Sequence, residues 1–299
     1  MNAIEIRNLS KSFRGMYAIN GLNMTVPVGA IYGFIGENGS GKSTTEKLLC
    51  GHLVPDGGEI RLFGKPYTDA GVRARVGALI ENAGCFPSSS VYANLKMQAI
   101  NLGLENPDEE ISRVLKIVRM ENSAHIKFKS CSLGMKQRIG IAMALLGDPI
   151  LLILDEPING LDTDGMRIMR EILVEITKTY GCTVLISSHI LGELEKIATH
   201  YGIIRQGRMV QELTAKEMES RARVFVSLKT ADMQRAKELL TVKFASVREE
   251  DGCLRVYDVD DTESIVATLL ENGHVVREIK KNKIGLEEYY VELMSRKGM

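Results

Sequence analysis

No charge of either sign dominates this sequence of 299 residues: 38 Lys and Arg stand against 38 Asp and Glu. The overall electrostatics therefore give no argument for a nucleic-acid partner. No run approaches the roughly 18 to 20 consecutive apolar residues that cross a bilayer, so any membrane role has to be shared with another polypeptide. The N-terminus, MNAIEIRNLSKSF, alternates apolar and polar residues like a strand and lacks the apolar core of a signal peptide; it reads as a mature cytosolic start. Cysteine is sparse, and the five present (Cys50, Cys85, Cys131, Cys182 and Cys253) are odd in number and without paired spacing. That pattern points to reduced thiols rather than to a disulfide framework or a zinc site. Sustained heptads, internal repeats and low-complexity tracts are missing too.

What is there is an ordinary globular composition, 44% apolar and 25% charged, in a chain long enough for a large core and two domains. Up to about Glu212, short apolar strands alternate with longer helical stretches, the pattern of an α/β domain with a largely parallel sheet. AIYGFI at Ala30–Ile35, ILLILD at Ile150–Asp155 and CTVLIS at Cys182–Ser187 are nearly continuous apolar runs, as central strands covered on both faces require. Between the first two lies a helix-rich insert, about residues 88–148. The texture changes near Arg221, so the first domain is read as 1–221. Residues 222–299 then read as βαββαβ plus a final helix, with a turn at Asp251 and Gly252, a small α+β unit of ferredoxin-like order. The charges of this second unit nearly balance, and no site chemistry stands out in it.

The strongest motif is GENGSGKST at Gly36–Thr44. Gly36, Gly41, Lys42 and Ser43 satisfy G-x-x-x-x-G-K-[ST] after one strand and before one helix, where the phosphate-loop mechanism needs them. Glycines let the backbone curl so that successive N–H groups converge on phosphate oxygens, Lys42 reaches the β- and γ-phosphates, and Ser43 is placed to bind Mg²⁺. ILLILDEP supplies a matching acidic strand end: Asp155 to hold the metal, and Glu156 to orient or deprotonate an attacking water. His189, in ISSHIL, follows the third apolar strand, at the end where ligands gather in a doubly wound sheet. A second anion-seeking helix end is written in CSLGMKQR at Cys131–Arg138, where Ser132 is a capping type.

The phosphate loop, SLGMKQR, LLILDEP, NGLD and SSH follow one another in the order and spacing of the ATP-binding subunits of ABC transporters, which residues 2 to about 215 resemble. The resemblance implies a P-loop NTPase of the ABC type that binds ATP and Mg²⁺ and hydrolyses ATP. Gly36, Asn38, Gly39 and Gly41 line the phosphate loop, and Lys42, Ser43 and Thr44 bind phosphate and metal. Asp155 is the metal-side acid, Glu156 the catalytic base and His189 the γ-phosphate sensor. Ser132 and Gly134 touch ATP held by a second subunit in a head-to-tail dimer, Asp162 belongs to the loop that communicates between the two sites, and Phe13 matches the aromatic that stacks on adenine. Without the resemblance, Phe13 reads equally well as a core residue of an N-terminal strand.

Two positions depart from the family pattern. Leu133 and Met135 stand where the signature usually has Gly and Gln. Glu81, in VGALIENAGCFP, matches best the position of a Gln that meets Mg²⁺ and water, where a carboxylate adds negative charge near Asp155 and Glu156. ALIENAGCFP, CSLGMKQR and EPINGLD most resemble the bacterial subgroup that energises separate membrane subunits for export of, or immunity to, peptide antibiotics such as lantibiotics and bacitracin. That places the chain at the inner face of the cell membrane with a second ATP-binding subunit and two permease subunits, and no nucleic acid. The rival is a soluble ABC-type ATPase with a non-transport partner. A repair or chromosome-organising ATPase should carry long coiled-coil arms, and a translation-associated one normally has two cassettes; neither is found here. A phosphate-transferring kinase would leave SLGMKQR and His189 without a job.

Overall fold

The computed structural model of the chain describes residues 1–221, 224–250, 252–259 and 261–295, with the side chain of residue 221 outside that description. The chain divides into two compact units, Met1–Ala215 and Lys216–Met299. The boundary expected near Arg221 borders residues 222 and 223, which lie outside the described residues.

The first unit begins with a hairpin, β1 (Asn2–Phe13) and β2 (Met16–Pro27). Its two turn residues, Arg14 and Gly15, both take positive φ, 50° and 80°, the geometry whose twist matches the flanking strands. Next come β3 (Ile31–Ile35), α1 (Lys42–Leu49), β4 (Gly57–Leu62), β5 (Lys65–Pro66), α2 (Ala70–Arg73) and β6 (Val76–Leu79). The helical insert follows as α3 (Val91–Asn101), α4 (Pro107–Ile117) and α5 (Leu133–Leu145). The chain returns through β7 (Leu151–Asp155), α6 (Thr163–Tyr180), β8 (Thr183–Ser187), the single-turn α7 (Leu191–Leu194), β9 (His200–Arg205) and β10 (Arg208–Thr214).

The central sheet has the order β10-β9-β3-β8-β7-β6, and every neighbouring pair is parallel except β10 with β9. Strands β3 and β8 are buried along their whole length and β7 up to Asp155, which explains their unbroken apolar sequences. The largely parallel sheet read from the sequence is incomplete, because β2-β1-β4-β5 make a separate antiparallel sheet. Inward residues of both sheets, among them Ile4, Leu22, Met24, Phe34, Ile153 and Leu185, share one core with Leu48 and Leu49 of α1. Helix α5 lies so close to β6 that a Cβ on Gly77 would meet the Ala144 carbonyl oxygen at 1.9 Å, so only glycine permits that approach.

Helix α8 (Ala215–Arg221) precedes the second unit's sheet. Its strands β11 (Val224–Thr230), β12 (Val247–Glu250), β13 (Cys253–Tyr257) and β14 (Val276–Lys283) are ordered β12-β13-β11-β14, all antiparallel. Helices α9 (Met233–Lys243) and α10 (Thr262–Glu271) connect them in a split βαβ arrangement, and α11 (Leu286–Ser295) follows. Val226, Leu228, Leu254 and Val256 pack against Ala236, Leu240, Ile265 and Leu269. Phe244 ends α9 and packs onto this core, so β12 begins at Val247, and β14 begins at Val276. Of the expected turn, Asp251 lies outside the described residues.

Candidate functional site

Parallel register decides what meets at the carboxyl end of the central sheet. Phe34 of β3 pairs with Ser187 of β8, and Ser187 pairs with Asp155 of β7, so the loops after three buried strands open side by side. The first is the phosphate loop. Glu37, Asn38 and Gly39 are exposed at its outer bend, while Gly36, Ser40 and Gly41 are buried. Gly41 takes φ 111° and passes so close to β2 that a Cβ would lie 2.6 Å from Ile19 Cδ1. Lys42, itself buried, reaches back over the loop and donates to the carbonyls of Gly36 at 2.7 Å and Glu37 at 3.2 Å. An ammonium enclosed by a glycine-rich turn at a helix N-terminus is suited to polyanionic phosphate.

The second loop brings the acids. Ser43 Oγ donates to Asp155 Oδ2 at 3.2 Å, Ser187 Oγ donates to Asp155 Oδ1 at 2.8 Å, and the Glu156 backbone N–H donates to Ser187 Oγ at 3.1 Å. Glu156 sits at φ 51°, an uncommon backbone state for a residue with a side chain. Its Oε2 lies 2.7 Å from Nδ1 of the exposed His189. Ser43, Asp155, Ser187, Glu156 and His189, spread over nearly 150 residues of sequence, are thus tied into one continuous chain of contacts, beside Lys42.

Ser132 caps α5, its Oγ accepting from the Met135 N–H at 3.3 Å, and is exposed. The start of α5 approaches the loop before α6: a Cβ on Gly134 would be 3.5 Å from Leu161, and one on Gly160 would be 2.9 Å from Leu133. Asp162 caps α6 through the Gly165 N–H at 2.8 Å. Thr44 is half-buried in the first turn of α1, and Phe13 stands exposed at the end of β1.

Glu81 has a partner that the sequence did not mark. Its exposed carboxylate pairs with Lys47 of α1 at 2.6 Å, which holds the carboxyl below its ordinary range. It lines a cavity of about 360 Å³ with Cys85, Phe128, Leu133, Lys136 and Gln137. Among the described residues no group of three or more His, Cys, Asp or Glu side chains is arranged to hold a metal ion.

Two residues escape a reading by motif. Ser187 joins Asp155 to the Glu156 backbone, yet in sequence it is one of two serines before a histidine. Glu46 of α1 is fully buried, and neither of its oxygens has a hydrogen-bond partner. Burial first, then the charge of Asp155, pushes its carboxyl up to about 8. The available signal was a Glu facing inward, with Leu48 and Leu49, on a helix whose other face carries Lys47.

Known proteins are similar to this chain. The family model described as ABC transporter matches residues 19–159. The bacitracin transport ATP-binding protein BcrA of Enterococcus faecalis is 34% identical over 302 residues, covering 99% of this chain and 97% of that protein. The lantibiotic transport ATP-binding protein SrtF of Streptococcus pyogenes is 40% identical over 209 residues, 70% of this chain and 90% of that one. Among solved structures, cbiO1 of Clostridium perfringens, part of the ABC transporter complex cbiONQ, is 29% identical with a TM-score of 0.67, covering 74% and 91% of the two chains. An ATP-binding cassette solved as a dimer in a post-hydrolysis state, bound to ADP and Pi, shares the fold at a TM-score of 0.65 and 21% identity, over 71% and 98%.

Proposed function

The chain belongs to the ATP-binding subunits of ABC transporters, and from that premise we propose that its ATPase activity drives export of, or immunity to, a peptide antibiotic through two separate membrane subunits. The cargo reading rests on the bacitracin-transport relative, whose similarity runs through both units of the chain rather than the first alone. No helix among the described residues is long and apolar enough to cross a membrane, so in this reading the subunit lies peripherally on the inner face and the permeases supply the path.

The observation that carries the mechanism is the chain of contacts from Ser43 through Asp155 and Ser187 to Glu156 and His189. Lys42 exchanges its two carbonyl partners for β- and γ-phosphate oxygens, and the amides from Gly36 to Thr44 take the remainder. Ser43 and Asp155 present hard oxygen donors 3.2 Å apart, a set that fits Mg²⁺; when bound, the ion would neutralise charge between the β- and γ-phosphates. Glu156 accepts a proton from the attacking water, and His189 holds that carboxylate while reaching towards the γ-phosphate. Ser187 fixes the Asp155 and Glu156 ends relative to each other.

Cassettes of this family form dimers and work with membrane permeases. In the proposed cycle Ser132 and Gly134 meet the γ-phosphate bound by a second copy, and Asp162 lies on the loop between the two sites. ATP binds the closed dimer better than the open one and shifts the equilibrium by that difference; hydrolysis removes the bridging phosphate and reopens it. The test is Glu156→Gln, with mass measured by light scattering with and without ATP and Mg²⁺. The expected result is tight ATP binding, hydrolysis down by about 100-fold or more, and a shift from monomer to dimer on adding nucleotide. Near-normal turnover would remove Glu156 from the role of base.

A further inference from the structure

Phe13 is 45% exposed at the very end of β1. The residues leading up to it are held by one acid from a distant loop. Asp56 lies just before β4, and its backbone N–H donates to the Ser10 carbonyl at 2.9 Å. Its Oδ1 accepts from Lys11 Nζ at 2.8 Å, and its Oδ2 accepts from both the Ser12 backbone N–H and the Ser12 hydroxyl at 2.7 Å. Three consecutive residues before Phe13 are therefore anchored by this one residue. The strand needs the anchor, because the β1–β2 register shifts between Lys11 and Ser12, where ladder hydrogen bonding is interrupted. The ammonium that Asp56 orients lies 5.6 Å from the Phe13 ring centroid, within cation–π range on one side of the ring. The hydrogen bonds from Lys11 and Ser12 also pull the Asp56 carboxyl down to about 2, so the clamp stays charged at any physiological pH.

We propose that Asp56 is a positioning residue for the nucleotide base: by clamping Ser10, Lys11 and Ser12 it holds the Phe13 ring exposed, with its free face available to the adenine of ATP. The inference rests on the reading of Phe13 as the stacking aromatic. Asp56 touches neither phosphate nor reacting water, so it acts on binding and leaves the chemical step alone.

The test is a double-mutant cycle on the full chain, following the Kd of a fluorescent ATP analogue together with KM and kcat for ATP. Phe13→Ala should weaken binding by about tenfold, as loss of a base-stacking ring does. Asp56→Ala should weaken it by about fivefold with kcat within about twofold of wild type, and Asp56→Asn, which keeps an acceptor for Ser12 but loses the charge that orients Lys11, should fall between. Adding Asp56→Ala to Phe13→Ala should cost nothing further. If Phe13→Ala weakens binding while both Asp56 variants bind like wild type, or if the two effects simply add, the positioning role is overturned. If Phe13→Ala itself binds normally, the stacking reading fails, and the inference with it.

Discussion

Two helices of the first unit, α1 and α5, begin at sequence motifs suited to anions, and they are finished differently. Helix α1 starts from Gly41 at φ 111° with no side-chain cap, and Lys42 at its first turn is buried. Helix α5 starts from Ser132 in an extended conformation, its hydroxyl already accepting from the Met135 N–H, with Ser132 and Leu133 exposed. Both ends have the positive pole of a helix dipole and spare amide donors. The first is enclosed by its own fold, and no side chain competes for its donors. The second is closed by its own residue and turned outward. In the proposed cycle the enclosed end serves ATP held within the subunit, and the exposed, self-capped end serves ATP brought by a second copy.

Gly41→Ala attacks the first end and should have the largest effect. The new Cβ would press on Ile19 and on the Ala18 carbonyl at 2.6 and 2.7 Å, at a φ that side chains rarely adopt. ATP affinity measured by calorimetry should fall by about 100-fold or more; wild-type affinity would show that this end does not depend on its enclosure. Ser132→Arg attacks the second end. It should abolish hydrolysis while monomer ATP affinity stays within about twofold, and loss of the cap should cost about 1 kcal/mol of stability. Lost binding in the monomer would erase the distinction between the ends.

Glu46→Gln sharpens the comparison by testing what burial of α1 costs. The folded carboxyl titrates near 8 against an ordinary 4.5, so it is neutral when folded and ionised when unfolded between those values. The wild type then has its full stability below about pH 4.5 and loses it as pH rises towards 8. Urea midpoints should show the Gln variant gaining on the wild type across that window, by up to about 3 kcal/mol at pH 7; a gap independent of pH would refute the buried neutral acid. The smallest effect is expected of Glu81→Gln. Because that carboxylate is exposed and paired with Lys47, the Mg²⁺ titration of ATP hydrolysis should move by less than about twofold. A large displacement would put Glu81 at the metal after all.

The parts legible in the sequence were those whose physics is local. The glycine spacing of residues 36 to 41, the cap at Ser132 and the apolar runs ending in Asp155 and Ser187 each state their own conformation within a few residues. The antiparallel sheet of β1, β2, β4 and β5 was not legible, because alternation of apolar and polar residues marks a strand but not its partner. The partner of Glu81 was not legible for a related reason: the motif fixed its position along the chain, and Lys47 stands 34 residues earlier.

By itself the sequence determined that this chain has a phosphate loop, an acidic strand end and a second helix cap, since each needs only neighbours in the chain. Tertiary structure alone decided that Ser187 joins Asp155 to Glu156, that Glu46 loses its water, and that Asp56 reaches Ser12 from 44 residues away. Strand register and core packing set those contacts, and a buried or bridging polar group takes its protonation and its partners from whatever the fold brings beside it.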